Sequence, residues 1–106
     1  MVLVAKNNAT ALVEAVSTGP VSVALEADTL VFQFYTGGIL NSNSCGTVLD
    51  HAVVVVGYGV DSTYGHYYIV RNSWGPDWGV KGYINIAITP GEGMCGIHKD
   101  ASYPLF

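Results

Sequence analysis

The segment NSCGTVLDHAVVVVGYG, residues 43–59, sets an imidazole, His51, at the mouth of a run of four valines, Val53 to Val56. Imidazole is the side chain that exchanges protons near neutral pH, so its place at the opening of an apolar strand raises the question of what it acts on. A second apolar run, in YYIVRNSWGPDWGVKGY, ends in Asn72, Ser73 and Trp74. If the two runs pair as antiparallel neighbours, Asn72 comes close to His51. Its amide oxygen can then accept the imidazole N–H and fix the tautomer and orientation of the ring, while an indole over the contact excludes water. These are the second and third members of a Cys-His-Asn system. The same residues also suit a satisfied structural histidine, with Trp74 and Trp78 as packing residues, and the residues alone leave both readings open.

Those side chains need a scaffold, and the hydrophobic periodicity supplies one. Ala9, Leu12, Val13 and Val16 recur at i, i+3, i+4 and i+7 and line one helical face, and Gly19-Pro20 supplies a stop. This predicts an amphipathic helix over about residues 9–18. β-rich runs follow at Val21–Leu25, His51–Tyr58, His66–Arg71 and Gly82–Ile88, with a short return near Ala101–Tyr103. Turn chemistry separates them at Gly37-Gly38, Asn41–Ser44, Asp61–Gly65, Gly75–Gly79 and Pro90–Gly93. The expectation is one α+β domain over residues 1–106, an antiparallel β-sheet or partial barrel with one packed N-terminal helix.

Composition narrows the classes of function. Half of the residues are hydrophobic, 11% are charged and the mean hydropathy is +0.37, which points to apolar surface meant for a partner. No stretch approaches the roughly 18 unbroken apolar residues of a membrane span, because Gly57, Gly59 and Asp61 interrupt the valine run, so the expectation is a soluble chain without a membrane partner. With four Lys plus Arg and a net charge of -4, the chain has no basic patch for phosphates, and nucleic acid is not an expected partner. MVLVAKNN lacks the charged region and apolar length of a signal peptide, and Met1 reads as the start of an excised or recombinant piece. Asn8-Ala9-Thr10 fits the glycosylation pattern, but Asn8 also stands at the predicted helix start, where the cap is the preferred reading.

The two cysteines, Cys45 and Cys95, have no metal-ligand spacing, and no metal or cofactor is implied. In a cytosolic protein they would be free thiols and in a secreted one they would pair. A nucleophilic Cys45 beside His51 must account for their separation of six positions in the sequence.

Four blocks in order, GPVSVALEA, CGTVLDHAVVVVGYG, YYIVRNSWGPDWGVKGY and CGIHKDASYP, resemble the C-terminal half of a papain-like cysteine peptidase. The resemblance runs from about Ala9 to Pro104. It implies a catalytic general base at His51, its orienting partner at Asn72 and a shielding indole at Trp74. It also implies a Cys45–Cys95 disulfide, which sets aside the nucleophilic reading of Cys45. Ala24, Leu49, Asp50, Ala52 and Asp100 fall at substrate-binding positions. Asp100 matches the far end of the pocket for the side chain two positions before the cut, with outward exposure or pairing with Lys99 as its alternatives. For Asp50 the preferred reading is a solvated carboxylate at the cleft edge, against a role in orienting leaving-side residues.

The sequence also departs from the family. The nucleophile signature C-G-[SA]-C-[WY], which precedes the His and Asn by about 130 to 150 residues, is absent, since only fifty residues precede His51. The expectation is therefore the second lobe of a two-lobed endopeptidase. Such a lobe supplies base and amide to a nucleophile lobe on another chain or segment, and is inactive alone. The alternative is a non-catalytic lobe that self-associates through its cleft face or serves as a partner-binding scaffold. A peptide or protein substrate in the complete enzyme, and a secreted, lysosomal or vacuolar location, follow from the resemblance.

Overall fold

The computed structural model describes residues 1–104. Asn8 opens the first helix, α1 (Ala9–Val16), with an extended backbone and a side-chain oxygen that accepts the Ala11 N–H at 3.0 Å. Leu12, Ala15 and Val16 are the buried face predicted by the spacing. The helix stops two residues before position 18, because Ser17 and Thr18 turn their hydroxyls onto the carbonyls of Glu14 and Ala15 instead of extending it.

Seven strands follow the order β1 (Val2–Leu3), β2 (Val21–Leu25), β3 (Ile39–Leu40), β4 (His51–Asp61), β5 (Gly65–Arg71), β6 (Tyr83–Ala87) and β7 (Ala101–Tyr103). They form a single sheet in the order β1-β7-β2-β4-β5-β6-β3, open at β1 and β3. The fold is α+β, as expected, with one main helix. One pair departs from the antiparallel expectation: β3 lies parallel to β6. Two residues of Ile-Leu carry no alternation from which a strand, or its direction, could be read. β4 also runs three residues beyond Tyr58, and a bulge between Val55 and Gly57 absorbs Val56.

The core lies on one face of this sheet. Val21, Val23 and Leu25 on β2, Val53 and Val55 on β4, Tyr68 and Val70 on β5 and Ile84 and Ile86 on β6 are buried in alternation, covered by Leu12 of α1. Each such side chain contributes about 1.5–3 kcal/mol by leaving water. A four-residue helix, α2 (Leu30–Gln33), and a 3-10 turn, Met94–Gly96, add Phe32 and Ile97, both fully buried. Neither element has the length for a periodic signal. The 3-10 turn needs special backbone: Gly93 and Gly96 have φ of 81° and 74°, and a Cβ at Gly93 would stand 2.7 Å from His98 Nδ1. Among the described residues no helix is long and apolar enough to cross a membrane.

Cys45 and Cys95 form a disulfide across a separation of 50 residues, tying the segment before β4 to the 3-10 turn. His98, just beyond that turn, is buried at 3% exposure. Its Nδ1 contacts the Gly91 carbonyl at 3.0 Å and its Nε2 contacts the Tyr68 hydroxyl at 2.7 Å. A carbonyl only accepts, so Nδ1 carries the proton and Nε2 accepts from Tyr68. Burial lowers the His98 pKa from its ordinary 6.5, opposed by the bond to Gly91, and burial raises that of Tyr68.

Two outcomes follow. Replacing both cysteines by alanine should cost about 4 kcal/mol on the loop-entropy view, read as a lower midpoint in denaturant. For His98, the unfolded chain takes up the proton first as pH falls. Its contribution is therefore complete above pH 6.5 and is lost as pH drops through the depressed folded value. The melting temperature should decline in that window, and His98→Gln should flatten the decline. An unchanged slope in the variant would assign the acid sensitivity to other groups.

Candidate functional site

His51 is the first residue of β4 and pairs with Leu25 of β2. Val54 lies opposite Arg71 on β5, so by the same register the residue after Arg71, Asn72, falls beside Val53 on the face that also carries His51. The backbone N–H of Asn72 donates to Gly82 O at 3.0 Å, which anchors it just past the end of the strand. Its side chain then reaches back, and Asn72 Oδ1 lies 2.8 Å from His51 Nε2.

The backbone decides the chemistry of this contact. Ser73 N–H also approaches Asn72 Oδ1, at 2.7 Å, and since an N–H can only donate, the atom it meets must be the amide oxygen. His51 Nε2 therefore donates its proton to Asn72. The neutral ring is held as the Nε2–H tautomer and Nδ1 is left as its basic nitrogen. Asn72 is 7% exposed, and its Nδ2 is a buried donor with no partner among the described residues.

Trp74 stacks on His51, with centroids 5.1 Å apart and planes 28° apart. The indole is held by two aromatic neighbours, Trp78, read from the sequence as a packing residue, and Phe32, which the sequence reading left out. Phe32 of α2 meets Trp74 edge-on at 5.5 Å and stacks on Trp78 at 5.2 Å, and Trp78 meets Trp74 edge-on at 5.3 Å. Trp78 Nε1–H donates to Gln33 O at 3.0 Å, locking the loop after β5 onto α2. That loop turns tightly at Gly79, where a Cβ would stand 2.5 Å from the Tyr83 carbonyl oxygen. The aromatic run FQFY, residues 32–35, was the available signal for this support.

The substrate-assigned residues form a second group. Ala24 pairs with Ala52 across β2 and β4, and its N–H donates to Asp100 O at 3.0 Å, so Ala52, Ala24 and Asp100 make one row across the sheet. This row faces away from the core, while His51 faces the core side. Because His51, Leu25 and Asp100 all stand at one end of their strands, the two groups open at the same rim. Leu49 and Asp100, with Leu3, Val4, Lys6, Lys99 and Ala101, line a cavity of about 370 Å³. Ala52 lines a separate cavity of about 410 Å³ with Pro20, Val54, Val56, Arg71 and Asn72 among its walls.

The structure bears on the alternatives for Asp100 and Asp50, and Asp100 is itself exposed. Lys99 Nζ donates to Thr47 O at 2.8 Å and pairs with Glu92 at 3.4 Å, so its charge is committed away from its neighbour Asp100. Asp50 is exposed, as a cleft-edge carboxylate should be, but it is also anchored: its Oδ1 accepts the Ala27 N–H at 2.8 Å. Nearby, a hydrogen bond with Glu26, then burial and the Glu26 charge, holds the Asp28 carboxyl above its ordinary range. Both cysteines are consumed by the disulfide, which excludes Cys45 as a thiol partner for His51.

The sequence profile described as "Papain family cysteine protease" matches residues 1–105. The chain belongs to that family. It matches the C-terminal part of papain-family proteins. It is 50% identical over 104 residues to vignain of Ricinus communis, covering 96% of this chain and 29% of that relative. It is 55% identical over 100 residues to germination-specific cysteine protease 1 of Arabidopsis thaliana, covering 91% and 26%. Bromelain protease from Ananas comosus, solved with the E64 inhibitor, superposes with a TM-score of 0.90 at 45% identity, covering 96% of this chain and 47% of bromelain. The chain thus spans under a third of the length of these curated papain-family relatives.

The hydrogen-bond argument is testable by itself. At a pH where His51 is neutral, nitrogen-15 shifts should report the Nε2–H tautomer. Asn72→Ala should return the ring to a mixture of tautomers, whereas an unchanged spectrum would mean that the amide does not set it.

Proposed function

We propose that this chain supplies the general-base half of a cysteine endopeptidase: His51 as base, Asn72 as the group that orients it, Trp74 as its cover, and a nucleophile from outside this segment. The observation that carries the proposal is the His51–Asn72 contact at 2.8 Å, beneath a stacked indole, in a chain whose two cysteines are bonded to each other. In the complete site Nδ1 would face a thiol. Taking its proton would give a thiolate–imidazolium pair, with the second N–H still held by Asn72. The thiolate attacks the peptide carbonyl, the imidazolium returns its proton to the leaving amine, and water then clears the acyl-enzyme.

The unpartnered Asn72 Nδ2 supports a lobe that docks here, since a buried amide nitrogen needs an acceptor and a second lobe is a source of one. Exposed Phe34 and Trp74, at 74% and 41%, supply apolar surface for the same contact or for self-association. A disulfide, together with plant papain-family relatives, supports a secreted, vacuolar or lysosomal setting.

The row of Ala52, Ala24 and Asp100 is proposed as wall and far end of the pocket for the side chain two positions before the cut. With Lys99 committed to Thr47 and Glu92, the Asp100 carboxylate is available to a guanidinium, and such charge-assisted contacts are roughly twice as strong as neutral ones. The pocket should take Phe or Leu and also Arg.

The test compares the pure chain with the chain joined to a papain-type nucleophile lobe, on fluorogenic peptides carrying Phe or Arg at that position. The chain alone should be silent and the joined protein active. His51→Ala should lower turnover by about 10² to 10⁴-fold. Asp100→Ala should remove cleavage after the Arg peptide and spare the Phe peptide. Turnover by the pure chain would overturn the assignment of the nucleophile to another segment, and equal loss on both peptides would overturn the pocket.

A further inference from the structure

We propose that Asn8 is an N-glycosylation site. Asn8-Ala9-Thr10 carries the acceptor pattern, an asparagine with threonine two residues on and no proline between. Asn8 and Thr10 are both exposed, so neither the amide nor the hydroxyl is shut in by the fold. The competing role of Asn8 as a helix cap uses a different atom. Its Oδ1 accepts the Ala11 N–H at 3.0 Å, and the sugar is joined at Nδ2, which the cap does not use. A glycosylated asparagine remains an amide with the same carbonyl oxygen, so cap and glycan coexist on one side chain.

A second, independent observation supports a setting where this chemistry occurs. The Cys45–Cys95 disulfide is built into the core, with Cys95 at 1% exposure, and such bonds form and persist in oxidising compartments such as the lumen of the endoplasmic reticulum. A chain that has closed this bond there has also met the enzymes and sugar donors of that lumen. Transfer to an asparagine acts on the chain before it folds, when residues 8–10 are not yet held in the first turn of α1.

The reaction is a substitution with no redox change. Asn8 Nδ2 attacks C1 of the first sugar of a lipid-linked diphospho-oligosaccharide. The Nδ2–C1 bond forms, the bond from C1 to the diphosphate oxygen breaks, the lipid diphosphate leaves and Nδ2 gives up one proton. The product carries a bulky polar group at the N-terminus of α1. This site stands independently of the peptidase reading, because it needs neither His51 nor a second lobe.

The experiment translates the whole chain behind a cleavable secretion leader in a cell-free system containing microsomes from the endoplasmic reticulum. The wild-type chain should give a slower-migrating band that collapses on digestion with peptide N-glycosidase, and peptide mass spectrometry should find Asn8 converted to Asp by that digestion. Thr10→Ala should abolish the slow band while leaving the cap intact, and Asn8→Asp should do the same while keeping a capping oxygen. Thr10→Ser should retain it. An unshifted wild-type band beside a modified control acceptor on the same leader would overturn the proposal, as would a slow band that persists in Thr10→Ala. Folding does not enter these readouts, so a variant that misfolds still reports.

Discussion

The structure turns on one amide whose orientation is settled by a backbone N–H. Asn72 Oδ1 is held by Ser73 N–H at 2.7 Å, and only because of that does it present an acceptor to His51 Nε2 at 2.8 Å. Were the amide reversed, two donors would face each other in a buried setting, at the full penalty of an unmet polar group. The tautomer of the imidazole is therefore inherited from the main chain at the end of β5. This is positioning by covalent geometry, and it costs no side-chain entropy beyond that already lost by a buried asparagine.

That contact exists because two strands agree in register. β4 and β5 are long, and their buried members, Val53, Val55, Tyr68 and Val70, make a one-residue slip prohibitive, since it would send all of them to the solvent face. Hydrophobic pattern thus fixes a polar contact that has little power to fix itself. The bulge at Val56 lies farther along β4, beyond the pairing that sets Asn72 beside Val53, so the extra residue does not disturb the site. The indole layer works in the same way: Phe32, fully buried, anchors Trp74 and Trp78, and Trp74 in turn lies over the imidazole.

The legible parts of the sequence were those whose signal is repeated. β2 was read residue for residue, because five alternating residues follow a Gly-Pro stop. α1, β5 and β6 were read to within one or two residues. The pairing of His51 with Asn72 could be anticipated from two apolar runs, although the residues alone could not separate a catalytic histidine from a structural one; the resemblance to the family is what favoured the catalytic reading. Of the elements of two to four residues, β7 was read as a short return near Ala101–Tyr103, while β1, β3, α2 and the 3-10 turn went unread. Phe32 was missed for that reason, because four residues cannot show a helical period. Asp50 shows a further limit. Its exposure was anticipated, but its bond to Ala27 N–H joins positions 23 residues apart, and no spacing rule carries that information.

The fold also explains how a segment of this length holds the His51–Asn72 contact in place. The sheet buries one continuous face, and the disulfide closes the loop from the stretch before β4 to the turn before β7, which limits the unfolded ensemble. The disulfide lies beside the rim at which His51 and Asp100 emerge: Glu26, next to Leu25, donates its N–H to Cys95 O at 2.8 Å, and its carbonyl lies 3.5 Å from Cys45 Sγ. What remains at the rim is a ring held in one tautomer, an indole partly open to solvent and an amide nitrogen with no acceptor among the described residues. The open part of the indole and the amide nitrogen are incompletely satisfied by this chain and would be better satisfied against a second surface. Local incompleteness concentrated at one rim, in a chain whose core is otherwise consistent, is what supports the proposal of a site completed by a second lobe.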